Sequence, residues 1–180
     1  MMRLTTMLML IGAALAGALT PGAAQHSPYA GQDRSAVKAL NPAEIDDLLA
    51  GRGMGLAKAA ELNSYPGPAH ALDLADALQL SDGQRASLTA IKARMSEQAI
   101  AVGQRLIGLE GALDRAFASG AIDATDLEGQ LRAIGALQAE LRGVHLRAHV
   151  ATRDLLSPTQ IAQYNKARGY DGPQSGGHKH

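Results

Sequence analysis

The sequence predicts an all-α protein that consists of one long antiparallel helical hairpin with flanking short helices. Alanine is the most common residue, and the chain has four Tyr, one Phe and no Trp, a composition that disfavours a β-sandwich or barrel. No proline occurs between Pro68 and Pro158, so long uninterrupted helices are permitted in that interval. Apolar residues there recur at steps of three and four, which is the spacing of one helix face.

Residues 1–24 are typical of a secretory signal peptide. Arg3 precedes an apolar run from Met7 to Leu19, and small residues then lead to Ala24. The run is too short to span a bilayer comfortably and precedes a small-residue cleavage site. We therefore expect cleavage after Ala24 and a periplasmic location, with an uncleaved N-terminal anchor as the alternative. No later segment is apolar for long enough to predict a transmembrane helix.

Residues 25–66 form a predicted N-terminal arm with short helices. Asn41 and Glu44 occupy the N-cap and N3 positions of a capping box, with a proline at the first helical position between them. This pattern predicts a short helix that continues through Leu49. The glycines of the segment Gly51–Gly55 then end that helix in a turn.

The main helical domain is predicted over residues 67–170 and begins with a short helix over 69–78. One apolar stripe marks the first long helix: Leu88, Ile91, Met95, Ala99, Val102, Leu106, Leu109, Leu113 and Phe117. A second stripe, with Leu137 beside it, marks the next long helix: Leu127, Leu131, Ile134, Leu141, His145, Ala148 and Leu155. Gly120 provides a stop between them, and Asp123 or Thr125 an N-cap. Because the loop is short, the two helices must be antiparallel neighbours.

A Leu-Ser-x-x-Gln box occurs twice in this domain. The first copy begins the first long helix, and the second begins a final short helix that we expect to end at Gly169. In each box the Ser hydroxyl caps the helix, the Gln reaches back to the cap backbone, and the preceding Leu packs on the core. The motif positions are Leu80, Ser81, Gln84, Leu156, Ser157 and Gln160.

Two such boxes flanking a long hairpin, in a small exported chain without Cys, resemble the LTxxQ-motif family of periplasmic proteins. That family includes Spy/CpxP-type chaperones and stress adaptors and the ZraP- and CnrX-type proteins of heavy-metal resistance and sensing. The resemblance covers about residues 66–170, with Ser in place of the usual Thr. It implies a non-enzymatic, four-helix cradle that forms a homodimer and binds unfolded client proteins without ATP during envelope stress. The family's other members imply two alternatives, a heavy-metal sensor or buffer and an adaptor that inhibits a sensor kinase.

The charges and the missing Cys restrict the chemistry that is available. The 17 Lys and Arg residues balance 17 Asp and Glu residues, so the chain has no excess positive charge for binding nucleic acid. Without Cys there is no thiolate metal site, disulfide or Cys nucleophile. No nucleophile motif accompanies the Ser and Asp residues. We therefore expect no catalytic residues and no required cofactor.

His145 and His149 are the candidate metal ligands of the hairpin. Their i, i+4 spacing places both imidazoles on one side of the helix, where they could share a zinc, nickel, cobalt or copper ion. Antiparallel pairing makes Met95 and Glu97 the nearest further donors. No HExxH motif is present, so the pattern does not indicate a hydrolytic zinc site. The alternative interpretation is that both histidines belong to the core.

Residues 171–180 form a predicted disordered tail, because they are too polar and too rich in glycine to fold. His178 and His180 give this tail a weak second place to hold a transition metal. A solvated tail is the simpler interpretation.

Overall fold

The computed structural model describes residues 29, 31–32, 34–35 and 37–170. Within these residues the protein is all-helical and has no β-strand, which confirms the predicted fold class. The predicted signal peptide and the tail with His178 and His180 lie outside the described residues. None of the helices that the structure describes is both long and apolar enough to cross a membrane. The elements are α1 (Pro42–Leu49), α2 (Lys58–Glu61), α3 (Pro68–Asp73), α4 (Asp82–Ser119), α5 (Ala124–Leu155) and α6 (Pro158–Arg168).

Helices α4 and α5 form the predicted long hairpin, and its ends have the predicted signals. The Ser81 hydroxyl accepts a hydrogen bond from the Gln84 amide at 3.2 Å and so caps α4. Gly120 ends α4 with a φ of +66°, in the left-handed region that favours glycine. Asp123 caps α5 by accepting from the Asp126 amide at 2.9 Å. Four residues, Gly120 to Asp123, therefore make the turn.

Two apolar clusters hold the helices together. The first joins α1 to the hairpin and contains Leu48, Ala99, Val102, Leu106, Ile134, Leu137, Leu141 and Val144. The second joins α3, the start of α4 and α6 and contains Ala71, Ala75, Leu78, Leu80, Leu88, Leu156 and Tyr164. Phe117 and Leu131 belong to the predicted stripes but are 57% and 50% exposed. Both lie toward the turn of the hairpin, beyond these two clusters.

Helix α1 lies closer to α4 than a side chain at position 103 would permit. A Cβ atom on Gly103 would lie 2.6 Å from the carbonyl oxygen of Leu48, so the crossing requires a glycine. The predicted capping box of α1 is present, with Asn41 accepting from the Glu44 amide and Glu44 accepting from the Asn41 amide. Helix α1 is therefore seated on the hairpin by a close backbone contact.

The two Leu-Ser-x-x-Gln boxes are in direct contact. Besides capping its own helix, the Gln84 side chain donates to the Gln160 side chain at 2.9 Å and to the Leu155 carbonyl at 3.1 Å. In return, Gln160 donates to Gln84 at 3.0 Å and to the Leu78 carbonyl at 3.2 Å. This reciprocal pair, the glutamine clasp, fastens the start of α6 to the start of α4.

Candidate functional site

His145 and His149 lie on a buried side of α5. They are 2% and 9% exposed, and the Nε2 atom of His145 is buried without a hydrogen-bond partner among the residues that the structure describes. Burial lowers the pKa of His145, and the neighbouring His149 lowers it further. The His145 imidazole is therefore held in its neutral form.

His149 is fixed by the segment that precedes α3. Its Nδ1 lies 2.7 Å from the carbonyl oxygen of Tyr65. Because a carbonyl oxygen can only accept, Nδ1 carries the proton and donates it. The same imidazole packs on Gly67, where a Cβ atom would lie 3.0 Å from the ring Cε1. His149 thus faces the segment between α2 and α3.

The carboxylate beside His149 is that of Glu61, which sequence reasoning missed. Glu61 Oε2 lies 3.6 Å from His149 Nδ1, and Glu61 Oε1 lies 3.5 Å from His70 Nδ1. Glu97, the predicted donor, is exposed on α4, and no hydrogen bond or ion pair of its side chain occurs in the described chain. Met95 is partly buried against the hairpin core. The structure therefore does not gather the four predicted donors into one group.

Glu61 ties the C-terminal helix to the arm. Its Oε1 accepts from the hydroxyls of Tyr164 at 2.5 Å and Tyr170 at 3.1 Å, and Arg168 Nε lies 3.5 Å away. Burial and the hydrogen bond to Glu61 raise the pKa of Tyr164. Oε1 is thus surrounded by donors of the chain itself, which gives Glu61 a structural role, whereas Oε2 is buried without a hydrogen-bond partner among the described residues. Across the described ranges, no three His, Asp or Glu side chains are arranged to hold a metal ion, and the metal site stays a prediction.

The hairpin has two grooves that are lined by α4 and α5 alone. The smaller, of about 150 Å³, is lined by Ile91, Arg94, Met95, Gln98, Val144, Arg147, Ala148 and Ala151. The larger, of about 500 Å³, is lined by Arg105, Gly108, Leu109, Ala133, Ala136, Leu137 and Glu140. Their residues recur at steps of three, four and seven along each helix, so both grooves lie on the same side of the hairpin. We call the two grooves together the hairpin furrow.

The larger groove of the furrow is lined in part by a glycine and two alanines. A Cβ atom on Gly108 would have no heavy atom within 4 Å among the described residues. A glycine inside a helix costs about 1 kcal/mol relative to alanine, and no contact in the described part of the chain requires it. Ala133 and Ala136 face Gly108 across the same groove. The furrow therefore allows another chain to approach the hairpin backbone closely.

The rim of the furrow is positively charged although the whole chain is neutral. Arg94, Arg105 and Arg147 line the furrow, and Glu140 is its one carboxylate. Arg105 pairs with Glu140 at 3.4 Å. Arg94 and Arg147 have no ion pair within the residues that the structure describes. Basic and acidic side chains are thus separated in space, which the balanced totals of the sequence do not reveal.

Comparison with known proteins does not extend these observations. No protein-family model, curated protein or solved structure matches the chain.

Proposed function

We propose that the protein is a non-enzymatic chaperone of the periplasm, a cradle of the LTxxQ type that binds unfolded client proteins in the hairpin furrow without ATP. The observation that carries this proposal is an apolar, glycine- and alanine-lined furrow that is left open along the hairpin and rimmed by three arginines. Its floor offers apolar surface to a client's side chains. The rim offers guanidinium groups to carboxylates and carbonyls nearby.

The exposed rim of the furrow agrees with weak and reversible binding of a client. The rim groups lie in solvent, where each ion pair contributes about 0–1 kcal/mol. The floor is shallow, so a client segment is only partly desolvated. A chaperone needs such modest affinity, because it must release its client without an energy source. A homodimer would carry two furrows and so raise the affinity for a long client through multivalency.

Suppression of aggregation tests this function directly. A chemically denatured model client is diluted into buffer with the purified protein at equimolar or higher ratio, and light scattering is followed. We expect the native protein to suppress scattering and Gly108→Leu, which fills the larger groove, to suppress it less. Gly135→Leu is the matched control, because a Cβ atom there also meets nothing within 4 Å among the described residues and Gly135 lines neither groove. Gly135 lies on the opposite side of α5, two residues from Ala133.

Both variants replace a helical glycine with a better helix former, so neither should unfold the hairpin. Circular dichroism and the melting temperature check this point. The proposal is wrong if the native protein leaves aggregation unchanged, or if the Gly108→Leu and Gly135→Leu variants suppress aggregation equally.

A further inference from the structure

A second large cleft lies where α1 and the loop after it meet the hairpin. Its volume is about 530 Å³, within the range of small-molecule sites. Six large apolar side chains line it: Leu40, Leu48, Met54, Leu56, Leu106 and Leu141. Gly135 and Ala139 lie at its α5 side, and a Cβ atom on Gly135 would have nothing within 4 Å. We call this the apolar cleft.

A small basic cleft adjoins it. This cleft, of about 250 Å³, shares Met54, Leu56 and Arg142 with the apolar cleft and adds Lys58. Neither Lys58 nor Arg142 has a side-chain hydrogen bond or ion pair within the described residues. Two unpaired cations therefore lie at one end of an apolar cavity.

Met54 lies at the junction of the two clefts in an unusual conformation. Its φ of +46° is in the left-handed region, and its side chain is 41% exposed. Left-handed backbone at a residue other than glycine is uncommon and is often found where a side chain is placed for a function. The conformation holds the flexible thioether side chain against both clefts, where it can adapt to a bound chain.

We propose that the two clefts together bind a long-chain fatty acid. Its alkyl tail lies in the apolar cleft, and its carboxylate lies between Lys58 and Arg142. An alkyl tail suits this lining better than a peptide, because Gln138 and Arg142 are the polar side chains that line the apolar cleft. A peptide would bring backbone N–H and C=O groups that these two side chains cannot satisfy. A carboxylate also matches the fork of the arginine guanidinium.

This site is separate from the hairpin furrow. It includes residues of α1 and the loop that follows, whereas the furrow is lined by α4 and α5 alone. Fatty-acid binding therefore does not depend on the proposed chaperone activity.

Displacement of a fluorescent fatty acid by palmitate tests the proposal. We expect saturable binding to the native protein, at least tenfold weaker binding to Gly135→Leu, which fills the apolar cleft, and unchanged binding to Gly129→Leu and Gly108→Leu. The double variant Lys58→Gln/Arg142→Gln should bind palmitate about tenfold more weakly. The double variant and the native protein should bind the neutral alcohol of the same chain length with equal affinity.

Several results would overturn the proposal. They are the absence of saturable binding, equal affinity of Gly135→Leu and the native protein, and equal affinity of the native protein for palmitate and the alcohol. Release of bound palmitate by an equimolar unfolded client would also overturn it, because the cleft would then belong to the client surface. Circular dichroism checks that each variant is folded. Because Gly108→Leu fills the furrow and not the apolar cleft, its palmitate binding separates a failure of the fatty-acid proposal from a failure of the furrow.

Discussion

His145 couples the stability of the fold to pH. Its imidazole is buried, its Nε2 has no partner, and its pKa is lowered by burial and by His149. The unfolded chain therefore takes up a proton first as the pH falls. The stability that this group contributes is complete above the unfolded pKa of about 6.5 and is lost as the pH falls from there toward the folded pKa.

We therefore expect the native protein to lose stability between pH 7.5 and pH 5.5 more steeply than His145→Gln. The slopes of stability against pH must be compared between the two proteins, because Glu110 also contributes. Burial raises the pKa of Glu110, so its contribution to stability changes with pH in the opposite direction, and it is the same in both proteins. Urea denaturation at several pH values measures the slopes. Parallel pH profiles for the two proteins would show that His145 does not carry this dependence.

Gly103 is the residue whose replacement should damage the fold most directly. The clash of a new Cβ with the Leu48 carbonyl predicts that Gly103→Ala loses about 1–3 kcal/mol of stability. Gly108→Ala, in the same helix but with open space around the new methyl, should gain up to about 1 kcal/mol. Thermal or urea unfolding measures both. A stabilised Gly103→Ala would mean that α1 does not cross α4 as described.

Among the helices, the glutamine clasp makes a prediction about coupling. Gln84→Ala and Gln160→Ala should each lose about 1–3 kcal/mol, because each leaves half-buried carbonyl groups and the other glutamine without partners. The double variant should lose less than the sum, with a coupling of about 0.5–3 kcal/mol. Gln163→Ala, at an exposed position of α6, is the control and should stay within about 0.5 kcal/mol. Additive losses at Gln84 and Gln160 would rule out the clasp.

Helix ends could be predicted because their signals are local. Ser81, Gly120, Asp123 and Ser157 each determine a cap or a stop through bonds within one turn. The contact between Gln84 and Gln160 could not be predicted in the same way, because it joins residues 76 apart in sequence. The repeated Leu-Ser-x-x-Gln motif was a signal of this contact, but helix capping alone explains why the same residues occur twice.

The surroundings of the histidines could not be predicted because α5 is buried on two sides. Periodicity alone placed His145 and His149 opposite α4, near Met95 and Glu97. Instead, Ala148 and its neighbours line the groove beside α4, and His149 turns toward Tyr65. Glu61 was missed because it lies in a four-residue helix of the arm, which carries too little periodicity to be assigned a face.

For the whole molecule, the distribution of charge matters more than its sum. The equal totals of basic and acidic residues argued against a surface that binds nucleic acid. In the described part of the folded chain, however, Arg94 and Arg147 lie unpaired along the furrow, whereas Asp114 pairs with Lys38 at 3.0 Å. The fold thus produces a locally basic, apolar surface from a neutral sequence, which is the basis of the proposed client binding.

The central claim is that clients bind in the hairpin furrow, and a single fluorescent label tests it. Because the chain has no Cys, Ala136→Cys in the furrow and Gln163→Cys at an exposed position of α6 can each carry one environment-sensitive fluorophore. We predict that an unfolded client shifts the emission of the label at position 136 to the blue and leaves the label at position 163 unchanged. Equal responses at the two positions, or no response at position 136, would contradict the account.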